Sequence, residues 1–343
     1  MIPLLGKILR RVFSLRRIFM CTAITYKTKD HYFGRTLDLE YHYSESVTVV
    51  PRRYSLEFRC GVKMASHYAM IGMATVAGGY PLYYDAVNEK GLGAAGLAFW
   101  KSAKYCPSCT GRDNIASFEL IPWVLSQCDS VIEARELLGR INITSEAFSA
   151  EFPPSPLHWL IADREEAIVL EQTADGINVY ENTAYVLTNE PPFDFQMMNL
   201  NNFLSLTADE PTDRFAEGMR LFAYSRGMGA MGLPGDSSSQ SRFVRGAFTR
   251  LNSVSGEGEE ESLCQLFHIL GSVEQVRGCV RLLAGKYEKT VYTSVANADK
   301  GIYYYTTYEN SRITAVDMHR ENLDGESLVS YPLIYNNDVK FVN

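Results

Sequence analysis

The sequence predicts an α+β fold class on two observations. Strand and helix signals arrive in blocks (strands, helices, strands, helices, strands), not in strict alternation. The strand runs are also short, rich in branched and aromatic residues, and joined by hairpin-like turns. That order fits a layered α+β domain better than a parallel α/β sheet. No repeat, low-complexity tract or convincing boundary interrupts the chain after Cys21, so residues 21–343 read as one domain.

The elements follow in order. Thr22 to Thr28 and Tyr32 to Leu39 read as strands flanking the turn Lys29-Asp30-His31. Ser46 to Val50 and Tyr68 to Val76 come next. Tyr83 to Val87 and Gly93 to Phe99 then bracket the turn Asn88-Glu89-Lys90-Gly91. The apolar period lengthens to that of helices over Ser117 to Gln127 and Ser130 to Ile141, where Ser130 and Glu133 have capping-box spacing. Strands return at Leu157 to Ala162, Ala167 to Gln172, Ile177 to Tyr180 and Tyr185 to Thr188, with Asp175-Gly176 as a turn signal. Phe195 to Leu206, Gln240 to Val254 and Ser262 to Val276 read as helices, and Ser255 to Glu261 as a short acidic loop. The end is β again, at Thr290 to Asn297, Gly301 to Tyr308 and Ile313 to Met318.

Composition narrows the function classes. The 343 residues are 46% hydrophobic and 21% charged, as in an ordinary globular protein, and long enough for a sizeable core. No run approaches the roughly 18 apolar residues of a membrane span. Seven irregularly spaced cysteines suit a reducing compartment, hence a cytoplasmic location, better than a disulfide framework. The net charge is −7; residues 1–19 contribute +5 of it, leaving −12 for the remainder. An acidic body argues against nucleic acid as a partner. Residues 1–19 place Leu5, Ile8, Leu9, Val12 and Phe13 at helical spacing opposite basic residues, a basic amphipathic helix and a poor secretory signal. Either translation starts at Met20, the consecutive arginines reflecting a purine-rich ribosome-binding stretch, or a leader is removed. In both cases residues 1–20 are absent from the working chain.

Several motifs dissolve under scrutiny. Gly91-Leu92-Gly93-Ala94-Ala95-Gly96 and Gly227-Met228-Gly229-Ala230-Met231-Gly232 match a dinucleotide fingerprint by letter. The first runs into a strand and the second into a loop, so neither opens a helix towards a pyrophosphate. Cys106-Pro107-Ser108-Cys109 is a single CxxC without the further ligands zinc needs. No HExxH or G-x-S-x-G pattern exists. His158 and His268 lie in apolar runs and read as core histidines.

Cys21 stands apart. A cysteine after a methionine becomes a chain's first residue when the methionine is removed, carrying a free α-amine beside its thiol. That amine has a reference pKa of about 7.7–8.0 and can take the thiol's proton near neutral pH. The thiolate is the competent nucleophile. The blander reading is a small buried hydrophobe at a strand start. Its company favours the nucleophile: Arg35 and Asp38 lie three apart on the adjacent strand. A regular strand puts them on opposite faces, and a bulge or twist at Gly34 is expected to bring both towards Cys21. An arginine near the sulfur favours the thiolate, and a carboxylate holds the amine.

These residues resemble the choloylglycine hydrolases, the N-terminal nucleophile hydrolases that comprise bile salt hydrolases and penicillin V acylases. The likeness covers almost the whole chain from Met20. It rests on Met20-Cys21-Thr22, Phe33-Gly34-Arg35-Thr36-Leu37-Asp38, Asn88-Glu89-Lys90-Gly91-Leu92-Gly93, Leu157-His158-Trp159 and Val186-Leu187-Thr188-Asn189. Gly232-Leu233-Pro234-Gly235-Asp236, Ser241-Arg242-Phe243, Leu266-Phe267-His268-Ile269-Leu270, Gly301-Ile302-Tyr303-Tyr304-Tyr305, Tyr308-Glu309-Asn310 and Glu321-Asn322-Leu323-Asp324-Gly325 extend it.

The resemblance implies a four-layer αββα sandwich. It implies that Cys21 attacks an amide carbonyl, positioned by Arg35 and Asp38, with Asn189 donating to the oxyanion and Arg242 as a second active-site arginine. Bile salt hydrolases commonly carry asparagine, and penicillin V acylases often tyrosine, where this chain has Ala98; the backbone N–H thought to serve the oxyanion there is kept. The implied substrate is a bile acid conjugated to glycine or taurine, held by apolar walls such as Phe99-Trp100 and Met228 to Leu233. A penicillin V acylase or other N-acyl amide hydrolase, acyl-homoserine lactone acylases included, is the alternative within the class. A non-catalytic bile-acid or lipid binder docked to membranes is the alternative outside it. No cofactor, metal or stable membrane insertion is expected, and the resemblance suggests a homotetramer.

Overall fold

The computed structural model describes residues 20–343. The basic amphipathic stretch read over residues 1–19 lies outside them.

In chain order the main strands and helices are β1 (Met20–Lys27), β2 (His31–Leu39), β3 (Ser46–Val50), β4 (Met70–Ala77), β5 (Tyr80–Asn88) and β6 (Gly93–Ala98), then α1 (Leu120–Leu125) and α2 (Val131–Leu138). There follow β7 (Leu157–Ala162), β8 (Ala167–Thr173), β9 (Gly176–Glu181), β10 (Val186–Leu187), α3 (Phe193–Leu200), α4 (Ser239–Asn252) and α5 (Glu259–Gly271). The chain closes with β11 (Tyr287–Asn297), β12 (Ile302–Thr307), β13 (Thr314–Asp317) and β14 (Val329–Pro332).

Two antiparallel sheets stack face to face. The first runs β10-β1-β2-β11-β12-β13, with Val280–Arg281 also paired to β11; the second runs β9-β8-β7-β6-β5-β4-β3-β14. Ile24, Phe33, Leu37, Val47, Ile71, Met73, Leu97, Leu160 and Val169 belong to one buried cluster shared by both sheets. Phe243 and Ala247 of α4 and Leu266, Ile269 and Leu270 of α5 join that cluster and cover the first sheet's other face. A separate core packs Leu120, Trp123 and Val124 of α1 and Val131 and Leu137 of α2 against Ala86, Ala94, Ile161 and Leu170 of the second sheet. The order helix, sheet, sheet, helix is the αββα sandwich expected. Each fully buried Leu, Ile or Phe supplies about 1.5–3 kcal/mol of driving force. Because helices cover the first sheet, its central strand β2 is buried at all nine positions, apolar and polar alike.

The β1–β2 register runs unbroken from Met20 opposite Asp38 to Lys27 opposite His31. The expected bulge at Gly34 is therefore not there; the irregularity lies across the sheet in β11, between Thr290 and Tyr292. Gly34 is needed for close approach: a Cβ there would sit 2.6 Å from the Ser294 carbonyl oxygen and 3.0 Å from Leu270 Cδ1.

Strand bounds match the sequence reading more closely than helix ends. α2 starts after its Ser130 cap but stops at Leu138, and Ile141 opens a short strand, Ile141–Thr144, parallel to Asp113–Ala116. α3 begins and ends earlier than expected. α5 starts at Glu259, inside the stretch read as a loop; its first turn gathers Glu259, Glu260 and Glu261, whose charges suit a helix N-terminus. His268 is exposed, correcting its reading as a core residue. His158 is buried and held by Glu171 and the Thr188 carbonyl, each at 2.9 Å.

Candidate active site

The elements converge on the N-terminal end of β1. Strand alternation puts Cys21, opposite Leu37, on the same face as Arg35, looking into the space between the sheets. Asp38, opposite Met20 and Thr290, lies on the other face, under α4. The two charged residues thus flank the start of β1 from opposite sides, with no distortion of the strand.

Arg35 is fully buried. Its Nη1 donates to the carbonyls of Tyr84 (2.8 Å) and Gly96 (3.0 Å) in the second sheet, and its Nε lies 3.9 Å from Asp85 Oδ1. Asp85 accepts in turn from the Tyr292 hydroxyl (2.9 Å), the Tyr303 hydroxyl (2.6 Å) and the Ser294 hydroxyl (3.3 Å). Burial opposes the charge on Arg35, but Cys21, Tyr292, Asp85 and Tyr303 outweigh it, and the guanidinium is held more firmly protonated than usual. Its Nη2 has no hydrogen-bond partner.

On the helix side, Ser238 caps α4 by accepting from the Ser241 N–H, and the first turn aims Arg242 at β1. Arg242 Nη1 donates to the Cys21 carbonyl (2.5 Å) and to Thr22 Oγ1 (2.7 Å), and its Nη2 to Asn189 Oδ1 (2.8 Å). Asn189 Oδ1 also accepts from the Cys21 backbone nitrogen at 2.9 Å. The Asn189 backbone N–H reaches Ser239 Oγ (2.8 Å), so the loop after β10 is tied to the start of α4.

Ala98 meets Asn189 from the second sheet: its carbonyl accepts from Asn189 Nδ2 at 3.0 Å. The next residue, Phe99, donates its N–H to the Pro156 carbonyl at 2.8 Å. Alternate residues of an antiparallel strand turn their N–H and C=O to opposite edges. The Ala98 N–H therefore faces the same gap as Asn189, and pairing with β5 has ended by Ala95.

The charges in this pocket are strongly perturbed. Burial pushes the Cys21 thiol up, only partly offset by Arg35; the Asp38 carboxylate raises it further, while the Asp38 N–H and Arg242 lower it. Arg35 thus favours the thiolate as expected, but burial outweighs its pull while the Cys21 nitrogen is an amide. Burial likewise raises Asp38 to about 6, against the pull of Arg242, Thr290 and Arg35. Thr290 Oγ1 donates to Asp38 Oδ1 at 2.7 Å, whereas Oδ2 is buried without a partner.

All six residues singled out in the sequence (Cys21, Arg35, Asp38, Ala98, Asn189 and Arg242) come together here. Thr22, Asp85, Ser239, Glu288 and Thr290 belong to the same constellation and escaped the sequence reading, because each is a common polar residue whose partners lie far away in the chain. Phe99 is no pocket wall: it is fully buried and stacked on His158, with ring centroids 4.3 Å apart. Met231, in the other expected wall, is exposed. Cys106 and Cys109 are exposed free thiols. Among the described residues no cluster of His, Cys, Asp or Glu could hold a metal, and no helix is long and apolar enough to cross a membrane.

Comparison with known proteins identifies the family. A bile salt hydrolase/transferase of Lactiplantibacillus plantarum is 51% identical over 314 residues, covering 92% of this chain and 97% of that one. A second bile salt hydrolase/transferase, from Clostridium perfringens, is 40% identical over 317 residues, 91% of this chain and 96% of its own. The crystal structure of a mutant conjugated bile acid hydrolase from Clostridium perfringens superposes with a TM-score of 0.87 at 38% identity, covering 94% of this chain and 100% of that one. A penicillin V acylase from Agrobacterium tumefaciens, at 19% identity over 90% of each chain and a TM-score of 0.71, shares the fold. The family description linear amide C–N hydrolases, choloylglycine hydrolase family, matches residues 21–331, its first matched residue being Cys21. The chain belongs to the choloylglycine hydrolase family and is a linear amide C–N hydrolase.

Proposed function

We propose that this enzyme hydrolyses the amide of bile acids conjugated to glycine or taurine, with Cys21 as nucleophile at the head of a working chain that lacks residues 1–20. One observation carries the mechanism: Asn189 Oδ1 holds the Cys21 nitrogen at 2.9 Å, while Asp38, opposite Met20 on the neighbouring strand, has a buried oxygen without a partner. An amide nitrogen has one N–H, already given to Asn189. A free α-amine has further hydrogens, and the orphan carboxylate oxygen is the acceptor waiting for them. A buried polar atom left unpaired costs roughly 1–3 kcal/mol, which the new amine would relieve.

The thiol passes its proton to that amine, and Sγ adds to the amide carbonyl. The Ala98 N–H and Asn189 Nδ2 donate to the oxyanion. The ammonium returns the proton to the leaving nitrogen as the C–N bond breaks, releasing glycine or taurine and leaving a thioester. Water, deprotonated by the amine, cleaves the thioester to free bile acid and restores the thiol. Arg35, with Nη2 uncommitted, supplies positive charge to the developing thiolate; Arg242 fixes the Cys21 carbonyl and Asn189 together. The names of the relatives support the substrate. Ala98 keeps the backbone donor while presenting only a methyl group to the pocket. The enzyme works in the cytoplasm, without a cofactor, as a homotetramer.

Turnover of glycocholate, taurocholate and penicillin V by purified protein tests the reading. Cleavage of the two conjugates in preference to penicillin V, abolished in Cys21→Ala, is the expected result. Penicillin V as the better substrate, or amide cleavage surviving in Cys21→Ala, overturns it.

A further inference from the structure

The two oxyanion donors assigned above come from different sheets. Ala98 ends β6 in the second sheet, opposite Leu157, whereas Asn189 follows β10, which pairs with β1 in the first. β6 and β10 share no ladder, so the backbone pairing of neither sheet sets the distance from the Ala98 N–H to Asn189 Nδ2. Side chains have to set it. We propose that Glu190 is a positioning residue, a brace that holds the loop after β6 against the loop after β10 and so fixes the spacing of the two donors. The inference rests on the reading that these two groups receive the oxyanion.

Side chains tie the two loops from the inside outwards. Innermost, His158 stacks on Phe99 and donates from Nε2 to the Thr188 carbonyl at 2.9 Å. Next, Asn189 Nδ2 gives one hydrogen to the Ala98 carbonyl at 3.0 Å, leaving its second for the oxyanion. Outermost is Glu190. Its Oε1 accepts from the backbone N–H groups of Lys101 (2.6 Å) and Ser102 (2.9 Å), and its Oε2 accepts from the Ser102 hydroxyl (2.9 Å). Hydrogen bonds to a carboxylate are roughly twice as strong as neutral ones.

The place of this brace gives it leverage. Glu190 is the residue after Asn189, and the chain it grips has left the sheet just beyond Ala98. Ala98 carries only a methyl group, with no polar side chain to anchor its own N–H, so that N–H follows the loop behind it. Donors serve an oxyanion only at about 2.7–3.1 Å, and a shift of about 1 Å can cost on the order of 10²-fold in rate. The bonds that Glu190 makes do not run to Cys21, so its effect falls on the oxyanion site and not on the nucleophile.

The test uses chains that begin at Cys21: wild type, Glu190→Ala, Glu190→Gln, Asn189→Ala, and Glu190→Ala combined with Asn189→Ala. Steady-state kinetics on a conjugated bile acid are paired with the rate of Cys21 alkylation by iodoacetamide, a displacement at saturated carbon that forms no oxyanion. Glu190→Ala should lose about 10–100-fold in kcat with KM within about threefold, yet alkylate within about twofold of the wild-type rate. Glu190→Gln keeps an oxygen for the two N–H groups, and its amide can donate to the Ser102 hydroxyl, so kcat should return to within about fivefold of wild type. Added to Asn189→Ala, Glu190→Ala should cost no more than about threefold further, because no pair of donors is left to be spaced. Unchanged kcat in Glu190→Ala, alkylation that falls in step with kcat, or losses that multiply in the double variant each overturn the inference. If the wild-type chain cleaves penicillin V but not the conjugates, the proposed substrate fails instead, and the same comparisons on penicillin V still decide the role of Glu190.

Discussion

Asn189 shows at the scale of one residue how the site is built from competing demands. Its Oδ1 takes both the Cys21 nitrogen and Arg242 Nη2, while its Nδ2 reaches the Ala98 carbonyl across the gap between the sheets. Asn189→Ala removes the clamp on the amine and one oxyanion donor together. A loss of about 10²–10³ in kcat is expected, with the melting temperature shifted far less than the rate, as steady-state kinetics and calorimetry would read. Glu288 gives a second prediction, in stability. Its folded value of about 8 lies above the ordinary 4.5, so between those pH values the folded chain holds a proton that the unfolded chain has released. Stability contributed by that proton is full below about 4.5 and lost as pH rises towards about 8, the reverse of a salt-bridged carboxylate. Glu288→Gln does not titrate, so its melting temperature relative to wild type should rise steadily from pH 5 to pH 9 in thermal melts at matched salt. A difference independent of pH, or one that shrinks, contradicts this. Cys21, Arg35 and Asp38 were legible in sequence because a thiol, a guanidinium and a carboxylate sit close along one predicted hairpin. Glu288 was not, since a lone acid in a strand reads as a solvated residue until a partner 268 positions away is known.

At the scale of elements, β2 does the organising. It is flanked by β1 and β11, covered by α5 on one face and the second sheet on the other, and buried throughout. Gly34 is what lets these layers close, and the sequence reading assigned it the wrong task because a bulge and a close approach ask for the same residue. Gly34→Ala places a Cβ 2.6 Å from the Ser294 carbonyl oxygen, a backbone atom that cannot swing aside. The expected cost is about 1–3 kcal/mol in urea unfolding; a variant as stable as wild type would show that the layers are looser than described. Strands were readable because branched residues and turns bound them on both sides: Ser46–Val50 and Leu157–Ala162 have the bounds read from sequence. Helix ends were not, since α2 runs straight into a glycine and a new strand without a break in apolar content. Val329–Pro332 was missed because its serine, tyrosine and proline look like a loop; it is an edge strand, where proline is tolerated.

At the scale of the whole molecule, the segment between α3 and α4 departs from the compact sandwich. Leu204 (83% exposed), Phe215 (75%) and Phe222 (84%) sit there with Met219 and Tyr224, also exposed, an amount of apolar surface that a single copy leaves in water. With the homotetramer proposed above, Phe215→Ser combined with Phe222→Ser should lower the mass seen by light scattering while the lone subunit stays folded; an unchanged tetramer would place its contacts elsewhere. The layered α+β class followed from block order and the αββα order from family likeness, whereas the face-to-face stacking rests on contacts no local pattern reveals. Everything said of the chemistry depends on the amine of residue 21 being free. Intact-mass measurement of the active protein, paired with its turnover of a conjugated bile acid, tests that most directly. Activity confined to the species whose mass starts at Cys21 is the predicted result; full activity in a species that still carries residue 20 would contradict the account.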